Sequence, residues 1–178
     1  TYDLLNPAQL SAALLPDLLL IGGAMVLLLL AAWRSDSDAH QRTDGLASIG
    51  LLVATLAAVV WMSVRGDTAA DTGVIAVDGF RWMVDIVILL GAIGTIALAI
   101  EHNVRDGIRQ AEAHVLVLFA ASGMMILAGA RDLMVVFLGI EIMSVAVYVL
   151  AGLDRRSARS AEASLKYFLL GAFATGFL

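Results

Sequence analysis

The stretch VLVLFAASGMMILAGARDLMVVFLGI, from Val115 to Ile140, contains only two charged residues, the adjacent Arg131 and Asp132. A helix needs roughly 20 apolar residues to cross a hydrocarbon core of ~30 Å. The Arg131–Asp132 step therefore marks a tight turn between two membrane helices, predicted over 113–130 and 132–153. That hairpin sets the class: an all-α, polytopic transmembrane helix bundle.

Outward from the hairpin the pattern recurs. Further apolar runs predict helices over 16–33, 46–64 and 80–100 before it and 160–178 after it, about six in all. The composition agrees: 61% of the 178 residues are hydrophobic, 15% are charged, and the mean hydropathy is +0.91, outside the range of ordinary soluble domains. No Lys or Arg precedes Arg34, so the first run lacks the basic flank of a cleaved signal peptide and reads as a retained helix. The last run is still apolar at Leu178, as expected of a longer protein cut short. The loops 35–45 and 66–79 are short, polar and glycine-containing. They leave room for no second domain, so residues 1–178 form one transmembrane unit.

Arginines in short loops set orientation, because they tend to stay cytoplasmic. Arg34, Arg42, Arg105, Arg109, Arg155, Arg156 and Arg159 fall on one side, and Arg65, Arg81 and Arg131 on the other. The first set is expected inside and the N-terminus outside. The formal charge of −5 is scattered among loops and forms no field that points to a partner. Cysteine is absent, which excludes disulfides, thiolate metal sites and iron–sulfur ligation within these residues. Glycine-rich phosphate loops and dinucleotide fingerprints are missing too, so neither nucleotide nor flavin is expected here.

Glu141 is the residue most exposed to electrostatic cost. It lies nine residues into the 132–153 helix, near the bilayer midplane, between Val135-Val136-Phe137-Leu138-Gly139-Ile140 and Ile142-Met143. A carboxylate there costs at least ~2.5 kcal/mol on insertion scales, so it must be protonated, paired or facing water. Each state suits proton transfer, and the plainer alternative is a neutral Glu hydrogen-bonded between helices.

Lys166 is the only lysine, in Ser164-Leu165-Lys166-Tyr167-Phe168-Leu169. Its ammonium is free to snorkel to the headgroups or to pair with Glu162 one turn earlier. Alternatively, as a lone titratable cation among arginines, it serves proton transfer. Arg81 and Asp85 are spaced as an i, i+4 ion pair with an anchoring role. His102 and His114 flank the loop after 80–100 and are expected solvated, or as proton feeders to a buried path. Met124, Met125, Met134 and Met143 lack accompanying metal ligands and read as packing, as do the helix glycines.

The segment Asp132-Leu133-Met134-Val135-Val136-Phe137-Leu138-Gly139-Ile140-Glu141-Ile142-Met143-Ser144, with Tyr148 to Gly152, resembles the fifth helix of the antiporter-like subunits of respiratory complex I. The segment Arg155-Arg156-Ser157-Ala158-Arg159-Ser160-Ala161-Glu162-Ala163-Ser164-Leu165-Lys166-Tyr167-Phe168-Leu169-Leu170-Gly171-Ala172 is similar to the loop and sixth helix of one member. The likeness is sharp over about 132–172. Upstream it rests on helix count and topology.

The resemblance implies the front end of a 13- or 14-helix proton-translocating subunit with inverted five-helix repeats. It sits in the membrane arm beside other complex I subunits, in a bacterial inner membrane, with lipid and protons as partners and no nucleic acid. NADH, FMN, iron–sulfur clusters and quinone are expected in other subunits, with no cofactor in this chain. Glu141 then matches a carboxylate that tunes a lysine on a later helix, and Lys166 matches a lysine of the sixth helix. Ala146 departs from the family pattern, where many relatives place proline, which bears on local helix shape. Two other readings stand: a subunit of a multi-subunit cation/proton (Na+/H+) antiporter, and a non-transporting assembly subunit.

Overall fold

In the computed structural model, residues 7–33, 38–66, 73–106, 112–154 and 156–177 are described, the side chains of 7–8, 38–41 and 101–106 excepted. Arg34, Arg109 and Arg155 and the side chains of His102 and Arg105 thus lie outside the described residues. The helices are α1 (Pro7–Ala13), α2 (Leu15–Trp33), α3 (Asp38–Val64), α4 (Gly79–Asp106), α5 (Glu112–Ala128), α6 (Leu133–Ala151) and α7 (Ala158–Thr175).

Six of these correspond to the predicted helices, and α1 is an addition. Pro16 explains the division: without an N–H it cannot donate to the Ala12 carbonyl, and its ring disfavours an unbroken helix through this point. Leu14 still donates to the Leu10 carbonyl, and Leu18 to that of Leu14. α3 begins at Asp38 rather than 46, and α4 continues past 100, because helices extend beyond the hydrocarbon into polar sequence. The apolar parts, Arg42–Val64 and Gly79–Ile100, are closer to the predictions. α3 stops at Gly66, whose φ of 67° is the left-handed conformation that closes helices cheaply only without a Cβ.

Helices α2, α3, α4 and α5 pack together, with α5 touching the other three. Leu20, Leu52, Leu89, Ile96, Leu118 and Met125 fill the centre, all of them fully buried. The hydroxyls of Ser48 and Thr55 donate to carbonyls one turn back, so they enter this core without an unpaired donor. The opposite faces carry exposed Leu29, Val87 and Leu98, the arrangement expected of helices solvated by lipid tails. Among the described residues four helices, α2, α3, α4 and α6, are long and apolar enough to span a membrane. α5 is apolar but shorter, and α7 falls outside that set with Arg159, Glu162 and Lys166 in its first half.

Beyond this core, among the described residues, α6 packs on α5 and α7, and α7 on α6 alone. Two glycines draw α5 and α6 together. A Cβ at Gly123 would stand 2.5 Å from the Met143 backbone nitrogen, and one at Gly139 3.0 Å from the Gly123 carbonyl. Lipid tails are as apolar as leucine, so such close backbone approach, rather than a hydrophobic drive, holds helices together in a bilayer. Asp132 starts α6 as its N-cap, accepting from the Met134 backbone N–H at 2.8 Å. The turn before it is pinned by residues 74–76: Ala76 donates to the Gly129 carbonyl and Arg131 to that of Val74.

Gly123→Ala is therefore expected to destabilise the folded protein by about 1–3 kcal/mol, the usual range for overpacking a tight contact. Gly22→Ala, where an added Cβ meets nothing within 4 Å, serves as the neutral control. Thermal unfolding of the detergent-solubilised full-length protein measures both, and equal midpoints would remove the close contact from the account.

Candidate functional site

Glu141 occupies the ninth position of the nineteen-residue α6, halfway along it. The helix is unbroken around it, and Ala146, where the family pattern allows proline, is a buried helical residue. Gly139 and Ala146 face α5, so Glu141 falls on the flank of that contact. It is half-buried there and lines a groove of about 360 Å³ with Leu116, Phe119, Ile142, Val145 and Ala146. Every other lining residue is apolar. Among the described residues Glu141 has no ion pair, so a cation, proton or water from outside this set must compensate its charge in a membrane.

Lys166 lies elsewhere. In α7, Ser160 donates from its hydroxyl to the Ala151 carbonyl at 2.6 Å and Ser164 to that of Tyr148 at 2.8 Å. Gly171 admits the Tyr148 ring, whose hydroxyl occupies the space of a Cβ. These three residues, spaced four and seven apart, form the seam with α6. Lys166 and Glu162 consequently share the opposite face and pair with each other at 2.5 Å, with Lys166 69% exposed. Of the alternatives open for Lys166, this arrangement is the i, i+4 pair. The structure does not bring Glu141 and Lys166 together.

The most deeply buried charges were only half legible in the sequence. Arg81, 1% exposed, donates from one guanidinium nitrogen to Asp17 at 2.5 Å and from the other to the Ala76 carbonyl at 3.1 Å. Its Nε lies 3.6 Å from Asp85, the i, i+4 partner expected from spacing. Arg81 therefore serves two helices rather than anchoring one. Asp17, sixty-four residues away in sequence, gives no local signal of this role beyond being a charge at the edge of an apolar run. Asp85 is fully buried and neither of its carboxylate oxygens accepts a hydrogen bond.

His114 departs from expectation. It is buried, 1% exposed, in the first turn of α5, close enough to α3 that a Cβ at Gly45 would stand 3.4 Å from its Nε2. Neither ring nitrogen has a hydrogen-bond partner, and Asp44 is the charge that acts on it. It is thus not a solvated loop residue. No group of three or more His, Cys, Asp or Glu side chains able to hold a metal occurs among the described residues.

Removing Arg81 would leave two buried carboxylates without a cation. Arg81→Met is expected to cost about 3–5 kcal/mol, the range seen when one member of a buried ion pair is deleted. The thermal midpoint of the purified full-length protein checks this, and a midpoint within a degree or two of wild type would contradict it.

Comparison with known proteins places these features. Residues 130–178, which include Glu141 and Lys166, match the family described as NADH:quinone oxidoreductase/Mrp antiporter, transmembrane. NADH-quinone oxidoreductase subunit N of Gemmatimonas aurantiaca is 50% identical, the match covering 99% of this chain and 35% of that protein. Subunit N 1 of Acidiphilium cryptum is 40% identical over 92% of this chain and 33% of its own length. In three dimensions, a chain of respiratory complex I from Thermus thermophilus with bound aureothin superimposes with a TM-score of 0.74 at 31% identity, over 91% of this chain and 34% of that one. The chain spans about a third of the length of the curated relatives it matches. From the hairpin bearing Glu141 through the leading helices, it belongs to the family of NADH:quinone oxidoreductase subunit N.

Proposed function

We propose that this chain is part of a membrane-arm subunit of a proton-pumping NADH:quinone oxidoreductase, in a bacterial inner membrane with its N-terminus outside. Its partners are then the other membrane-arm subunits, and the NADH, FMN, iron–sulfur and quinone sites lie in other chains. The observation that carries this reading is a mid-helix carboxylate, Glu141, in an otherwise apolar groove, within a sequence half identical to a subunit N.

A charge at that depth is useful only if a counter-charge comes and goes. At about 4 Å and an effective dielectric of ~20, a charge pair is worth about 4 kcal/mol, more than the ~2.3 kcal/mol per 100 mV that a transferred proton must overcome. In the proposed mechanism Glu141 stabilises a protonated lysine on a neighbouring helix. A change in that pairing during quinone reduction lowers the lysine's hold on its proton and passes it along a hydrated path. Lys166 presents its ammonium on the face of α7 turned away from α6, where it can receive protons from the cytoplasmic side and relay them to further helices.

The cation/proton exchanger remains the second reading, because the matching family includes Mrp antiporters. Sodium-dependent proton flux without NADH distinguishes it. On the proposed reading, Glu141→Gln lowers coupled NADH:quinone turnover and proton pumping about tenfold or more, equivalent to at least ~1.4 kcal/mol. The check is the proton-to-electron ratio and turnover of inside-out vesicles carrying the variant. An undiminished ratio at full turnover would rule out Glu141 as the pumping carboxylate.

A further inference from the structure

Neither Glu141 nor Lys166 involves the cluster of Asp17, Arg81 and Asp85, which gathers at the end of the bundle where α2, α4 and α6 begin. The three side chains are 2%, 1% and 0% exposed. Among the described residues, the charged groups that face Asp85 are Arg81 from its own helix and Asp17 from α2. Asp78 is occupied in accepting from the Arg81 backbone N–H at 2.8 Å. Arg131 at the α5–α6 turn is exposed, Arg65 beyond α3 lies over Trp61, and α5 brings no titratable group to this end.

The charge count is uneven: two carboxylates share one guanidinium, out of contact with solvent. Asp17 takes the short hydrogen bond, while Arg81 Nε and both oxygens of Asp85 are left without a hydrogen bond at a separation of 3.6 Å. A fully ionised cluster would hold an uncompensated negative charge in a low-dielectric interior, and one added proton removes it.

We propose that Asp17, Arg81 and Asp85 form a proton-binding site at this end of the bundle, in which two carboxylates flank one guanidinium and share one exchangeable proton. On uptake, a proton from the adjacent aqueous phase forms an O–H bond on Asp85 and the cluster goes from −1 to neutral. On release, that O–H bond breaks and the proton returns to water. A small movement of Arg81 from Asp17 toward Asp85 transfers the guanidinium's hydrogen bond and leaves the proton to Asp17. Arg81 rests against Gly129, where a Cβ would stand 2.9 Å from its Nε, so such movement bears on the turn that begins α6. The site stands apart from Glu141 and Lys166 and does not rest on the pumping mechanism.

The test is infrared difference spectroscopy across a pH step on the full-length protein, purified in mild detergent with whatever subunits accompany it. Wild type should show a protonated-carboxyl C=O band, one proton in amount, that disappears as pH rises. Asp85→Asn and Asp17→Asn should each abolish it, because either substitution leaves one carboxylate balanced by Arg81, whereas Asp85→Glu should keep it. If Asp85→Asn fails to fold, Asp17→Asn decides alone. A band that survives either Asn substitution, or spectra that lack it in wild type, would overturn the proposal.

Discussion

Arg81 is a cation closed off from solvent inside a helix bundle, and the leading half of the chain is arranged around it. Its hydrogen bonds reach Asp17 on α2 and the Ala76 carbonyl in the segment before α4, and its stem lies on Gly129 at the end of α5. In lipid the hydrophobic effect does little to choose among helix registers, so specific polar contacts and small-residue seams carry that choice. Shifting α2 by one turn would separate Asp17 from Arg81 and bury Asp17 without its cation. Together with the pairing of residues 74–76 to 129–131, this fixes where the α5–α6 hairpin starts.

The hairpin then places Glu141 by geometry alone. Asp132 caps α6, Gly123 and Gly139 bring the two backbones into contact, and Glu141, two residues past Gly139, is carried to the flank of that contact rather than into it. Because α6 packs only on α5 and α7 among the described residues, the flank is open, and the groove of Leu116, Phe119 and Val145 leaves the carboxylate accessible to another helix or to water. The same seam logic turns Lys166 away from α6. Ser160, Ser164 and Gly171 occupy the near face of α7, and position 166 has to lie on the far one.

Features encoded locally were legible in the sequence. The Arg131–Asp132 turn, the apolar lengths of the spans and the place of Glu141 halfway along its helix depend on hydropathy and on 1.5 Å per residue, and they appear in the structure within a few residues. Helix ends were misjudged where the helix outruns the membrane, as in the first turns of α3, since hydropathy marks hydrocarbon rather than hydrogen bonding. Long-range features were not legible. Asp17 meets Arg81 only because α2 and α4 start at the same end of the bundle, and His114 is buried because the first turn of α5 abuts Gly45. The i, i+4 rule found Asp85, and no local spacing pointed to Asp17, the second partner of Arg81. Lys166 was assigned a role through family likeness, and its local partner, Glu162, was the simple spacing pair.

On the proposed function, the chain works within a large NADH-oxidising membrane complex and not in a separate ion exchanger. Affinity purification of the full-length protein from native membranes in mild detergent, followed by a native gel stained for NADH-dependent dye reduction and mass spectrometry of its bands, measures this directly. The chain is expected to migrate in a large, NADH-active band with other complex I subunits. Recovery only in a smaller, NADH-inactive assembly would contradict it and assign the fold to cation/proton exchange.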